Sequence, residues 1–92
     1  MNELPLRIGS ELSGAAVSCG PEIFTFLSPK AFPPGQPLQL TLFPGAENAL
    51  ELQARCIGSK LQADQRFEVR ARMINLSRSA RQQLNAAFSN ES

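Results

Sequence analysis

The sequence predicts a small all-β fold closed by one C-terminal α-helix, an antiparallel β-barrel of about five to six strands with the helix as its cap. Three observations carry this. Residues 50–57 and 66–73 alternate apolar and polar side chains position by position, the period of a strand with one buried and one wet face. Turn-forming pairs punctuate the chain at Gly20-Pro21, Pro34-Gly35 and Pro44-Gly45, at the spacing of a barrel or sandwich. From Ser79 onward the period changes: Ala80, Leu84, Ala87 and Phe88 fall on one helical stripe.

Taken in order, residues 1–10 are an N-terminal arm or a strand, and their pattern does not decide between them. The barrel is expected over 11–74. Residues 14–19 form a short strand closed by Gly20-Pro21. Residues 22–28, Glu-Ile-Phe-Thr-Phe-Leu-Ser, are rich in β-branched and aromatic types and form the next. Residues 37–43 place Leu38, Leu40 and Leu42 in phase, after a turn at Phe32-Pro33-Pro34-Gly35. In 50–57, Leu50, Leu52, Ala54 and Cys56 share one side, with Glu51, Gln53, Arg55 and Ile57 on the other. The polar stretch 58–65 returns the chain as a hairpin connection. In 66–73, Phe67, Val69, Ala71 and Met73 oppose Arg66, Glu68, Arg70 and Arg72. The helix is expected over 77–89. Ser79 and Gln82 fit a capping box, and Ser77 is the alternative cap. About three turns of helix are marginal alone in water, so Leu84 and Phe88 must pack on the sheet.

Composition narrows the function. Ninety-two residues make one domain, 1–92, with little interior left for an enclosed active site. The net charge of +1 gives no field to steer the chain to DNA or anionic lipid. There is no uninterrupted apolar stretch near the roughly 20 residues of a membrane span, and the first residues lack a secretory pattern; a cytoplasmic location is expected. Cys19 and Cys56 lie on apolar phases and are read as reduced small hydrophobes, a Cys19–Cys56 disulfide being the alternative. The chain has no His, Tyr or Trp. The commonest general base and metal ligand are therefore absent, and two separated Cys make no zinc site. No catalytic residue, metal site or cofactor is expected, and the domain is read as binding rather than catalysing.

The order of elements, with Phe32-Pro33-Pro34-Gly35-Gln36-Pro37-Leu38-Gln39-Leu40, a long hairpin, Arg66-Phe67-Glu68-Val69 to Ile74-Asn75-Leu76-Ser77, then Arg81, Leu84 and Phe88, resembles the PilZ domain over residues 11–88. That resemblance implies a bacterial regulatory barrel, known best as a cyclic di-GMP receptor. It also implies two ligand motifs. Asp/Asn-x-Ser-x-x-Gly matches Glu11-Leu12-Ser13-Gly14-Ala15-Ala16, with the serine kept, Glu for Asp/Asn, and Ala16 for the last glycine; Ala is costly there if φ must be positive. Arg-x-x-x-Arg, whose guanidiniums clamp phosphate, has no match, because Arg7 is the only arginine before Arg55. The family's arginine-bearing lead-in is expected to be missing or rebuilt. Arg7, Glu11 and Ser13 are thus the residues a cyclic di-GMP ligand would meet.

Two further features bear on partners. Arg66, Arg70 and Arg72 share a strand face, with Arg55 beside them, as an anion- or partner-binding strip or as a solvated exterior paired to Glu51 and Glu68. Phe67 and Phe88 fall on core phases, which argues against a stacking platform for nucleic acid. Ile23, Leu27 and Ile57 break otherwise polar faces. They mark a surface for a protein partner or self-association, or a face covered by the helix.

Overall fold

The alternation read from the sequence becomes a closed barrel. The computed structural model describes residues 3–20, 22–47 and 49–88. Six strands, β1 (Leu4–Ile8), β2 (Leu12–Cys19), β3 (Ile23–Ser28), β4 (Pro37–Leu42), β5 (Leu50–Leu61) and β6 (Phe67–Ile74), precede one helix, α1 (Arg78–Phe88). All neighbours pair antiparallel, in the order β1-β2-β3-β6-β5-β4, and β4 returns to β1. Closure matters because an open sheet would leave unpaired backbone donors and acceptors along two edges.

Of the segment read as an arm or a strand, Leu4–Ile8 is a strand; Met1 and Asn2 lie outside the described residues. β1 pairs with both β2 and β4 and buries Leu6 and Ile8, so the barrel begins at Leu4 rather than at residue 11. Inward phases supply the core: Leu6, Ile8, Ala16, Phe24, Phe26, Leu38, Leu40, Leu42, Leu52, Ala54, Cys56, Val69 and Ala71 are all buried. Phe24 and Phe26 lie with ring centroids 6.0 Å apart. Each such side chain, fully buried, contributes about 1.5–3 kcal/mol.

The helix closes one end. Leu84 is its one fully buried residue, and Phe88 meets Phe24 edge-on at 6.1 Å. Ser77 is the cap: its Oγ accepts the Ala80 amide at 3.1 Å, and its carbonyl accepts the Arg81 amide at 2.9 Å. Ser79 lies inside the first turn instead. A helix end has orphan amides to satisfy, and Ser77 sits three residues ahead of one. Ser89, expected in the helix, lies outside the described residues.

The first half of the stretch expected to be a loop, 58–65, is strand. β5 runs through Leu61, and the turn is confined to 62–66, where the Gln62 amide donates to the Arg66 carbonyl at 2.7 Å. A β-bulge interrupts this longer strand. The β5–β6 register moves from Cys56↔Ala71 to Gly58↔Arg70, leaving Ile57 unpaired. One extra residue inverts the phase beyond it. Ser59 therefore falls opposite Val69 on the inner phase, where its hydroxyl accepts the Phe32 amide and donates to the Phe32 carbonyl, both at 2.9 Å. Those bonds, with Gly35 amide to Cys56 carbonyl (2.7 Å) and Cys56 amide to Gln36 carbonyl (2.9 Å), bind the proline-rich loop to β5 and bury Phe32. Ser28, fully buried, is satisfied by Lys30: its hydroxyl donates to the Lys30 carbonyl at 2.7 Å and accepts the Lys30 amide at 3.1 Å.

Candidate functional site

The β1–β2 hairpin places Arg7 and Ser13 directly opposite each other, and β4 puts Thr41 on Arg7's other side. Arg7 opens onto a groove of about 740 Å³ lined also by Gln39, Thr41, Glu51, Gln53 and Asn75. The lining is rich in carboxamides, with Asn75 Nδ2 donating to Gln53 Oε1 at 3.4 Å. Arg7 forms no ion pair among the described residues. Glu11 sits in the three-residue turn and faces a different depression, of about 330 Å³, with Lys30 and Gln36. Arg7 and Ser13 are therefore neighbours, while Glu11 is turned away from the groove.

The glycine requirement lies elsewhere than the motif suggested. Ala16 is fully buried within β2, opposite Leu4 and Phe26, and its φ is not positive, so the anticipated strain of an alanine does not arise. Gly14 is the tight position. A Cβ there would overlap the Leu27 carbonyl oxygen and come within 2.8 Å of Ile8 Cδ1. Glycine lets β2 approach β3 closely at the end of the motif nearest Ser13.

The arginines separate into two groups. Arg66 lies at the β5–β6 turn, held by Asp64 at 2.8 Å and Glu3 at 3.3 Å. Its hydrogen bonds keep the Asp64 carboxyl below the usual carboxylate range. Arg55, Arg70 and Arg72 share the outer face of β5 and β6. Glu51 and Glu68, expected to neutralise them, form no ion pair among the described residues. Glu51 lines the Arg7 groove instead, and Arg72 reaches Glu22 at 3.4 Å. Arg55 stands directly opposite Arg72 and donates from Nη1 to the Gly35 carbonyl at 2.9 Å. Arg70 has no ion-pair partner among the described residues.

Of the three apolar surface residues, the structure brings two together. Ile23 and Ile57 line one groove of about 370 Å³ with Ser18, Thr25 and Arg70. Ile57 is 47% exposed. Its place on the outward face follows from the alternation along β5, and the bulge leaves it without a cross-strand partner. Leu27 lies farther along β3, opposite Ala15 and Glu68 and outside that groove. α1 reaches the inward Phe24 and contributes no residue to the groove beside Ile23, so that face is not the helix's seat.

Reading the sequence missed Gln39, Thr41, Gln53 and Asn75 as a group. Their polar phases were legible, but only the strand register sets them around Arg7. A second groove, of about 830 Å³, between α1 and the barrel is lined by Leu4, Leu42, Phe43, Leu50 and Ala87; it too needs the helix docked to exist. Both cysteines are free thiols, with Cys56 Sγ donating to the Phe32 carbonyl at 3.4 Å. Burial pushes both thiols above their ordinary range, and Arg81 partly offsets this at Cys19.

No family model matches the chain, and no curated protein matches it in sequence. Among solved structures it is similar to the Bacillus subtilis inhibitor of motility (MotI/DgrA), with a TM-score of 0.73 and 12% identity. The match covers 98% of this chain and 49% of the other, so the chain spans about half that protein's length. At this identity the likeness is one of fold, between this chain and a part of that inhibitor.

Proposed function

We propose that the chain is a non-catalytic, PilZ-like regulatory module of the bacterial cytoplasm, acting through protein contacts and without the usual cyclic di-GMP site. The shared fold with an inhibitor of motility supports a regulatory role in a cell-surface process such as motility. The observation that carries the reading is the charge at the Ser13 edge. Among the described residues Arg7 is the one cation lining its groove, and Glu51 lines the same groove. A dinucleotide with two phosphates needs forked donors on both, and each missing charge-assisted bond removes about 1.5–3 kcal/mol. Glu11, the counterpart of the motif's Asp/Asn, faces another depression.

A second reading, a cyclic di-GMP receptor with a rebuilt site, draws on the direct opposition of Arg7 and Ser13. Calorimetric titration of the chain with cyclic di-GMP, at low and moderate salt, decides between them. The adaptor reading expects no saturable heat. Saturable binding that is lost in Arg7→Ala supports the receptor instead. A small nucleic-acid-binding barrel is disfavoured by the placement of its aromatics. Phe24, Phe26 and Phe32 are core residues, and Phe43, Phe67 and Phe88 pack against that core, which leaves no stacking platform.

A further inference from the structure

We infer that the outer face of β3, β6 and β5, centred on Ile57 and Arg70, docks an acidic protein segment that carries an aliphatic anchor; the inference rests on the adaptor reading above and names its surface and partner chemistry. Ile57 and Arg70 stand between two shallow grooves, one continuing to Ile23, Thr25 and Ser18, the other to Lys60 and Glu68. Alternation along β5 sets Ile57 on this outer face, and the bulge between Cys56 and Gly58 leaves it without a cross-strand partner.

The charges on the face are arranged against stability. Arg55 and Arg72 are directly cross-strand, a pairing that repels when both carry the same sign. Arg70 follows on the same face of β6, again cationic. Among the described residues Glu22 is the one carboxylate in an ion pair with any of the three. Arg72 is offset by Glu22 and Arg55 by the Gly35 carbonyl, which leaves Arg70 without an ion-pair partner among the described residues. A local rule only partly compensated is what a binding surface looks like. The counter-charge missing at Arg55 and Arg70 defines the occupant: carboxylates to meet these two arginines, and a branched aliphatic side chain to cover Ile57 and Ile23. Arginine is among the residues enriched in protein interfaces, whose buried centre is apolar. A nucleic acid would meet the cations equally well, but it would find no exposed ring to stack on.

The test uses the full chain and fluorescence anisotropy with a short labelled peptide of Asp and Glu carrying one central Leu. Three comparison probes are the same peptide with Ser for Leu, a Lys-rich peptide, and an oligothymidylate of matched charge. Saturable binding of the first probe is expected, weakened about tenfold by Ser for Leu and again by Arg70→Ala or Ile57→Ser. Arg78→Ala, on the helix, leaves it unchanged. Both test residues are exposed, and unchanged melting temperatures certify the fold of each variant. No saturable binding of the acidic peptide, indifference to the Leu, or indifference to both substitutions overturns the inference. So does oligothymidylate binding as tightly as the peptide. Cyclic di-GMP calorimetry answers separately for the adaptor reading, so either can fail while the other stands.

Discussion

Substituting Gly14 by alanine asks whether the closeness of β2 to β3 is real. An added Cβ meets the Leu27 carbonyl oxygen and Ile8 Cδ1. The isoleucine methyl can rotate aside. The carbonyl cannot, because Leu27 is held in register on both flanks, opposite Ala15 and Glu68. Overpacking a fixed contact costs about 1–3 kcal/mol, and alanine returns about 0.4–1 kcal/mol by restricting the unfolded chain. The net loss is about 1–2 kcal/mol. For a domain this size each kcal/mol lowers the melting temperature by about 4–8 °C, so Gly14→Ala should melt about 5–15 °C lower by circular dichroism. Gly58→Ala is the internal control: nothing lies within 4 Å of its added Cβ, and φ there is not positive. It should be neutral or slightly stabilising. Ala16→Gly, which restores the motif's last glycine, should lose about 1–2 kcal/mol through a buried methyl and strand entropy. A Gly14→Ala protein as stable as the parent would refute the reasoning.

Other expectations follow from the same geometry. Ser77→Ala should cost about 1 kcal/mol in urea unfolding as the lost cap, while Ser79→Ala stays within about 0.5 kcal/mol; the reverse order would restore the Ser79 capping box. Leu84→Ala, which empties the one fully buried helix position, should cost about 2–5 kcal/mol, read as a lower urea midpoint. The raised thiol pKa values mean that the native state holds its protons longer than the unfolded chain. That stability is present below the unfolded thiol pKa, about 8.5, and is lost as pH rises through the folded values. Urea midpoints should therefore fall above that pH, and a Cys19→Ser, Cys56→Ser double variant should show a shallower fall.

The barrel, its strands from residue 14 to 73 and the helical stripe were legible because each rests on periodicity, a property of neighbouring residues. What stayed hidden depends on partners distant in the chain. β1 is too short and too proline-marked to declare itself; it is a strand because β2 and β4 flank it. The bulge at Ile57 is invisible in the alternation, yet it decides that Ser59 turns inward; that β5 continues to Leu61 shows only in its pairing with β6. Gly14 and Ala16 show the same division. The motif named a glycine at 16, whereas the close strand approach that needs one is at 14. At the candidate site, the resemblance picked Arg7, Glu11 and Ser13, and only register could reveal that Glu11 faces away. The arginine strip was readable as a face, but its splitting into a salt-bridged Arg66 and an under-neutralised Arg55, Arg70 and Arg72 required knowing which carboxylates come near.

The most direct measurement is a series of nitrogen–proton correlation spectra of the labelled chain, recorded as cyclic di-GMP is added. The account predicts that the amides of Arg7, Ser13 and Thr41 keep their positions throughout. Saturable shifts concentrated on that row would contradict it and make the groove beside Arg7 a nucleotide site.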